Sequence, residues 1–219
     1  MPIVSKSYTP ATASATAVAA AQATTINVPM TLTAAAGTGI DTAGLGRKIS
    51  IVSTGADGTI VFTVVGTDIN GIAKTETITG VTTTPVVSTN YYNLISSITP
   101  SATTANLISV GTNGLIETPV LPQNFYVRTA IAVKVNITGT INYTVQECFE
   151  DILKPVNMGG TQTTDAIFDN AVTALTAKTA NAYGQLRIGT TGMKIITASF
   201  TAGATLKFNV IEPSNSNLG

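Results

Sequence analysis

From about residue 24 onward the chain alternates apolar and polar residues with a period of two. Ile26, Val28, Met30 and Leu32 alternate with Thr25, Asn27, Pro29 and Thr31. Ile131, Val133, Val135 and Ile137 alternate with Ala130, Ala132, Lys134 and Asn136. Ile141, Tyr143, Val145, Glu147 and Phe149 alternate with Asn142, Thr144, Gln146 and Cys148. Successive side chains of a strand point to opposite faces, so each run predicts a half-buried strand. Pro29 lacks an amide donor, which places the first run at a sheet edge. The best helical spacing is Ile167, Ala171, Ala174 and Leu175 within residues 166–178, a weak pattern because Thr173 and Thr176 interrupt it.

One hook shape occurs three times. Residues 58–64 read Gly-Thr-Ile-Val-Phe-Thr-Val, residues 139–145 read Gly-Thr-Ile-Asn-Tyr-Thr-Val, and residues 204–210 read Ala-Thr-Leu-Lys-Phe-Asn-Val. Each follows an alternating run (Lys48 to Ser53, Val133 to Thr138, Lys194 to Ser199) and a turn containing Gly or Ala, so each reads as a β-hairpin. In all three the returning strand carries three apolar side chains on one face. Phe62, Tyr143 and Phe208 are the expected anchors.

Residues 1–23 are an Ala/Ser/Thr tract broken by Pro2 and Pro10, with Ile3, Val4, Tyr8 and Val18 set along it as isolated apolar pegs. Thr12, Ser14 and Thr16 spoil the apolar core that a signal peptide needs. The tract therefore reads as an extended N-terminal arm that orders against a neighbouring subunit. Two prolines in Thr118-Pro119-Val120-Leu121-Pro122-Gln123 interrupt the strand pattern. The expected fold is all-β: two small antiparallel β-sandwich domains, Ig-like or jelly-roll-like, over residues 24–118 and 123–219, joined by a linker at 119–122.

Composition narrows the function. The 219 residues include 40 threonines, 11 basic and 11 acidic side chains, one cysteine and no histidine. Without His there is no Ser-His-Asp triad and no HExxH zinc site. Lone Cys148 closes no internal disulfide. Zero net charge gives no footprint for nucleic acid or for an anionic membrane, and no apolar run reaches the roughly 20 residues of a membrane span. With 10% of residues charged, the surface has little protection against self-association.

The remaining chemistry is sparse. Asp68-Ile69-Asn70-Gly71 lies between two strand runs; with Glu76 it offers three side-chain oxygens, too few for calcium, and Asn-Gly is a turn signal. Glu147, Cys148, Glu150 and Asp151 form an acidic cluster. Glu147 and Glu150 differ by an odd number and face opposite sides of a strand, which disfavours a glycosidase pair. Glu147 falls in the apolar register, as a satisfied buried carboxylate, an interface contact or the end of the strand. The aromatic doublets Tyr91-Tyr92 and Phe125-Tyr126 send one ring to each face and are candidates for sheet packing or subunit contact. No cofactor or metal is expected.

Ile49-Ser-Ile-Val-Ser-Thr-Gly55, Thr63-Val-Val-Gly-Thr-Asp68-Ile-Asn-Gly71 and Thr75-Glu76-Thr-Ile-Thr-Gly80 resemble β-rich virion proteins of tailed bacteriophages. So do Ile95-Ser-Ser-Ile-Thr-Pro-Ser101, Ile108-Ser-Val-Gly-Thr-Asn-Gly114, Ile141-Asn-Tyr-Thr-Val-Gln146, Ala174-Leu-Thr-Ala177 and Leu206-Lys-Phe-Asn-Val-Ile211. The resemblance implies a non-enzymatic virion component assembled in the host cytoplasm. It would be a capsid decoration or cement subunit, or a neck, tail or fibre part. Its partners would be copies of itself and other virion proteins such as the major capsid protein, with Ile3, Val4, Tyr8, Val18, Tyr91, Tyr92, Phe125 and Tyr126 as expected inter-subunit contacts. A carbohydrate-binding adhesin, weakened by the absence of Trp, and a wall hydrolase are the readings from other classes.

Overall fold

A computed structural model describes residues 3–33, 36–37, 39–123, 130–150 and 168–211. The fold is all-β and antiparallel. The strands among the described residues are β1 (Ile3–Tyr8), β2 (Ser14–Gln22), β3 (Gly46–Ser53), β4 (Phe62–Thr67), β5 (Ala73–Ile78), β6 (Val86–Val87), β7 (Leu94–Pro100) and β8 (Ile108–Glu117). They continue with β9 (Leu121–Pro122), β10 (Ala132–Thr138), β11 (Ile141–Cys148), β12 (Asp169–Asn170), β13 (Ala182–Gln185), β14 (Gly192–Phe200) and β15 (Thr205–Ile211). The chain divides into two compact units: Ala11–Glu117 forms the first, and Met1–Pro10 joins Thr118–Gly219 in the second.

In the first unit β2, β8, β3 and β6 pair in that order, and β5, β4 and β7 form a separate sheet. The two sheets enclose one sandwich-like core. Val18, Ile49, Ile51, Ile108 and Val110 come from one sheet, and Phe62, Val64, Ile78, Ile95 and Ile98 from the other. Gly111 is required on β8, because a Cβ there would collide with the backbone of Ser14 and Ala15 on β2. The second unit follows the same plan. Its sheets are β1-β15-β10-β13 and β12-β11-β14, with β9 beside β14. Val133, Val135, Leu206, Phe208 and Val210 share its core with Ile141, Tyr143, Val145, Met193 and Ile195.

The three repeated hooks are arches, not hairpins. β3 and β4 lie in different sheets, as do β10 and β11, and β14 and β15. Both strands of each hook aim apolar side chains at the same core, and facing strands fill that space from both sides where adjacent ones would not. In the second unit the two arches run in opposite senses, so that β10 pairs with β15 while β11 pairs with β14. Their bends hold each other. Thr201 N–H donates to the Thr140 carbonyl at 2.9 Å, and Thr140 N–H to Thr201 Oγ1 at 3.2 Å. Gly139 turns one bend at φ 73°, and a side chain there would press on Ala204 Cβ at 3.0 Å.

Three other expectations change. Residues 26–32 do not form a strand: Asn27 sits at φ 57° and breaks the alternation, leaving Ile26 and Val28 about half exposed while Met30 is buried. The segment instead runs along the edge of β7, with Met30 N–H on the Ile98 carbonyl at 2.8 Å and Asn27 N–H on the Pro100 carbonyl at 2.9 Å. The helical spacing over 166–178 yields, from residue 168 on, β12 and a 3-10 turn at Thr173–Leu175 that buries only Leu175. The described part of the expected arm over residues 1–23 does not stand apart. β1 pairs with β15, β2 pairs with β8, and the units divide after Pro10 and Glu117, not at 23 and 119–122.

Phe62, Tyr143 and Phe208 are buried in their cores as expected, each at most 2% exposed. Replacing any one with Ala should cost about 3–5 kcal/mol in urea unfolding, because each leaves an aromatic-sized cavity between facing sheets. A loss under about 1 kcal/mol would contradict the arch as a core-forming unit.

Candidate functional site

The eight residues expected at subunit contacts fall in different places. Val18 and Tyr92 are removed from consideration, because both are fully buried in the core of the first unit. Tyr92 also exchanges both backbone hydrogen bonds with Arg47, at 2.7 and 2.8 Å. The doublet thus does split across the pleat. Tyr91 lies half-buried on the other side with Lys48 Nζ 5.1 Å from its ring centre. Burial, aided by the Glu117 charge, pushes the Tyr91 phenol up to about 12, so it stays neutral near pH 7. Val4 and Tyr8 on β1 are half-buried against the core of the second unit, and the Tyr8 ring stacks on Phe208 at 6.1 Å. Ile3 pairs with Ile211 through its backbone. Phe125 and Tyr126 lie outside the described residues.

The acidic cluster comes apart. Glu147 is fully buried, Glu150 lies exposed beyond the end of β11, and Asp151 lies outside the described residues. Glu147 Oε1 accepts from Arg187 Nε at 2.5 Å. Its Oε2 accepts from Arg187 N–H at 2.9 Å and from Thr190 Oγ1 at 3.1 Å. Both oxygens are therefore engaged by the loop after β13, which holds that loop against β11. The guanidinium of Arg187 lies over the Phe149 ring at 4.6 Å, with Asp169 at 3.9 Å. Cys148 is buried beside this cluster.

Three other buried acids, Asp68, Asp57 and Asp41, make the same kind of structural bond. Asp68 Oδ1 accepts the N–H groups of Asn70 and Ile72 at 2.8 and 2.9 Å, and Gly71 sits at φ 81°. This is a turn closed by an aspartate, as its sequence suggests. Asp57 accepts from Ser53 Oγ at 2.6 Å, Ala105 N–H at 3.1 Å and Asn106 Nδ2 at 3.2 Å. Asp41 and Arg47 form an ion pair at 2.7 Å with both side chains fully buried. Arg47 Nη1 also donates to the Ala11 carbonyl at 2.6 Å, and Nη2 donates to the Asn113 carbonyl at 2.5 Å. Among the described residues no three His, Cys, Asp or Glu are grouped to hold a metal, and no helix is long and apolar enough to cross a membrane.

Sequence reasoning missed Arg47, Arg187 and Thr190. For Arg47 a signal was present: it shares the parity of Ile49 and Ile51 on β3, as Glu147 shares that of Val145 on β11. A charged residue in the apolar register marks a buried pair. The partners lie on loops, where no periodicity points to them.

What remains outward is surface. β13 forms one edge of the second unit's sheet among the described strands, and its Ala-Tyr-Gly-Gln sequence carries neither charge nor proline. Tyr183 on it is 82% exposed and Ile188 just beyond is 65% exposed. Comparison of the chain with protein-family models, with characterised proteins and with solved structures finds no match.

Two outcomes test these polar clusters. Arg47→Met should destabilise the protein by about 3–5 kcal/mol in chemical denaturation, since it strands the buried Asp41 charge, and adding Asp41→Asn should recover part of the loss. For Asp57, burial raises the carboxyl pKa, but the hydrogen bonds from Ser53, Ala105 and Asn106 outweigh it and the net value lies below the ordinary 3.8. A depressed folded value contributes stability above the unfolded value, and that stability is lost as pH falls through the folded one. Asp57→Asn should therefore lower stability at pH 7 and flatten its decline below about pH 4, as measured by unfolding across pH.

Proposed function

We propose that the chain is a non-enzymatic structural protein of a tailed-bacteriophage virion, a capsid decoration or cement subunit built of two Ig-like or jelly-roll-like sandwich domains. It stabilises the head through β-contacts with copies of itself and with other virion proteins such as the major capsid protein. The observation that carries this reading is the edge at β13. A sheet edge presents unpaired backbone groups, and natural proteins blunt such edges with charge, proline or a bulge. β13 has neither charge nor proline and adds an exposed tyrosine, the residue type enriched at the centre of protein interfaces. Ile188 extends the apolar contact. The low charge of the whole chain supports the same reading, since a surface with 10% charged residues repels its own copies weakly. Four buried carboxylates support it too: those of Asp41, Asp57, Asp68 and Glu147 are each bonded into the fold.

The test is localisation together with an edge variant. Cryo-electron microscopy of purified particles should place the chain on the head as repeated copies; density at the neck, tail or fibre would move the assignment there, and absence from particles would overturn it. Tyr183→Lys should weaken self-association roughly tenfold in sedimentation velocity while leaving the unfolding midpoint unchanged, as expected for loss of one interface anchor.

A further inference from the structure

The first strand is bound in a way that its neighbours are not. β1 pairs with β15 through six residues, from Ile3 opposite Ile211 to Tyr8 opposite Leu206. Among the described strands it lies at an edge of its sheet, and the chain that follows it leads into the first unit, which begins at Ala11. Ala11 is where the buried pair takes hold: its carbonyl accepts from Arg47 Nη1 at 2.6 Å and its N–H donates to Asp41 Oδ2 at 3.4 Å. The chain is thus pinned immediately after Pro10, and residues N-terminal to it form a separate strand on a short connector. Pro10 disfavours a helical turn at Thr9 and keeps that connector extended.

The seat itself is mostly backbone. Of the side chains on β1, Val4 and Tyr8 are half-buried while Ser5, Lys6 and Ser7 are exposed. Among its described side chains only two are partly buried, and with one ladder they oppose the entropy of ordering the strand, so β1 is held less firmly than the strands paired on both sides. The edge that it covers is the opposite: Leu206, Phe208 and Val210 of β15 all lie in the core, and an open β15 would expose backbone donors beside them. The seat has reason to stay filled, and its occupant little to hold it in one chain.

We propose that β1 is an exchangeable donor strand that seats on β15 of a second copy of this chain, in the same antiparallel register, and so links copies. The occupant is a second copy because each carries an identical β1 and an identical seat. Every contact of the intrachain arrangement is reproduced between chains, and only the connector and the concentration decide between them. This rests on the assembly reading only in its choice of partner, and it concerns the sheet edge opposite β13.

Cysteine trapping of the full chain tests it. Ser7 and Lys207 are register partners and both are exposed, so Ser7→Cys in a size-tagged chain and Lys207→Cys in an untagged chain are mixed, equilibrated at high concentration and oxidised. A disulfide-linked tagged–untagged adduct should form, roughly tenfold above that from Ser7→Cys with Thr83→Cys, an exposed position away from the seat. The pair Ser5→Cys and Asn209→Cys, also in register, should behave alike. Adduct no greater than the control for both pairs would overturn the proposal. So would undiminished self-association of a single chain carrying Ser7→Cys and Lys207→Cys oxidised within itself. Failure of that kind with the Tyr183→Lys effect intact leaves assembly through β13 standing, so the two readings fail separately.

Discussion

Facing pairs of strands, joined by bends that cross from sheet to sheet, hold the second unit together. β10 faces β11 and β14 faces β15, β10 pairs beside β15 and β11 beside β14, and the connections 139–140 and 201–204 carry the chain between the sheets side by side. Each arch spends its apolar residues on the same interior, so Tyr143 and Phe208 meet in one core instead of lining one surface. The bends need residues that turn sharply and bond locally, hence Gly139 and Gly203 at positive φ and the threonines that close on each other. Removing the opposition of the sheets would leave each with a bare apolar face in water, the situation that layered packing exists to avoid.

The charged side chains in the interior follow from the same crossing. Arg47 stands at the start of β3 and Glu147 near the end of β11, on the core side of strands that otherwise carry aliphatic residues there. At a strand end the core thins and loops pass close by. Asp41 from the segment before β3 meets Arg47, and Arg187 with Thr190 from the loop after β13 meet Glu147. A desolvated charge in such a place contributes little net stability but a large penalty for any arrangement that leaves it unpaired. These two pairs fix where particular loops lie.

The alternation made β10 and β11 legible to within two residues, and the turn chemistry of Asp68 to Gly71 placed the β4–β5 hairpin. Parity also placed Glu147 in the apolar register, and of the alternatives that left open it is the buried carboxylate. Parity did not show whether two consecutive strands lie side by side or face each other, because period two is the same in both cases and only the third dimension separates them. The run from Ile26 to Leu32 failed for a local reason: Asn27 tolerates a left-handed backbone and Pro29 offers no donor, so tertiary bonds to β7 replaced the ladder. The pegs of the N-terminal tract were visible as pegs, yet their sockets lie some two hundred residues away for β1 and about a hundred for β2, distances over which no sequence pattern runs.

The pairing of Ile3 with Ile211 also sets an order in time. A ribosome makes β1 long before β15, and everything from Ala11 to Glu117 emerges while β1 has no partner in its own chain. The first unit has all of its strands by then and can close, whereas the second cannot complete its sheet until β15 appears. On a polysome, where nascent chains of different length crowd together, the first β15 to emerge meets the β1 of many neighbours. The length of time for which that strand waits is thus written into the fold, by placing the two halves of one strand pair near opposite ends of the sequence.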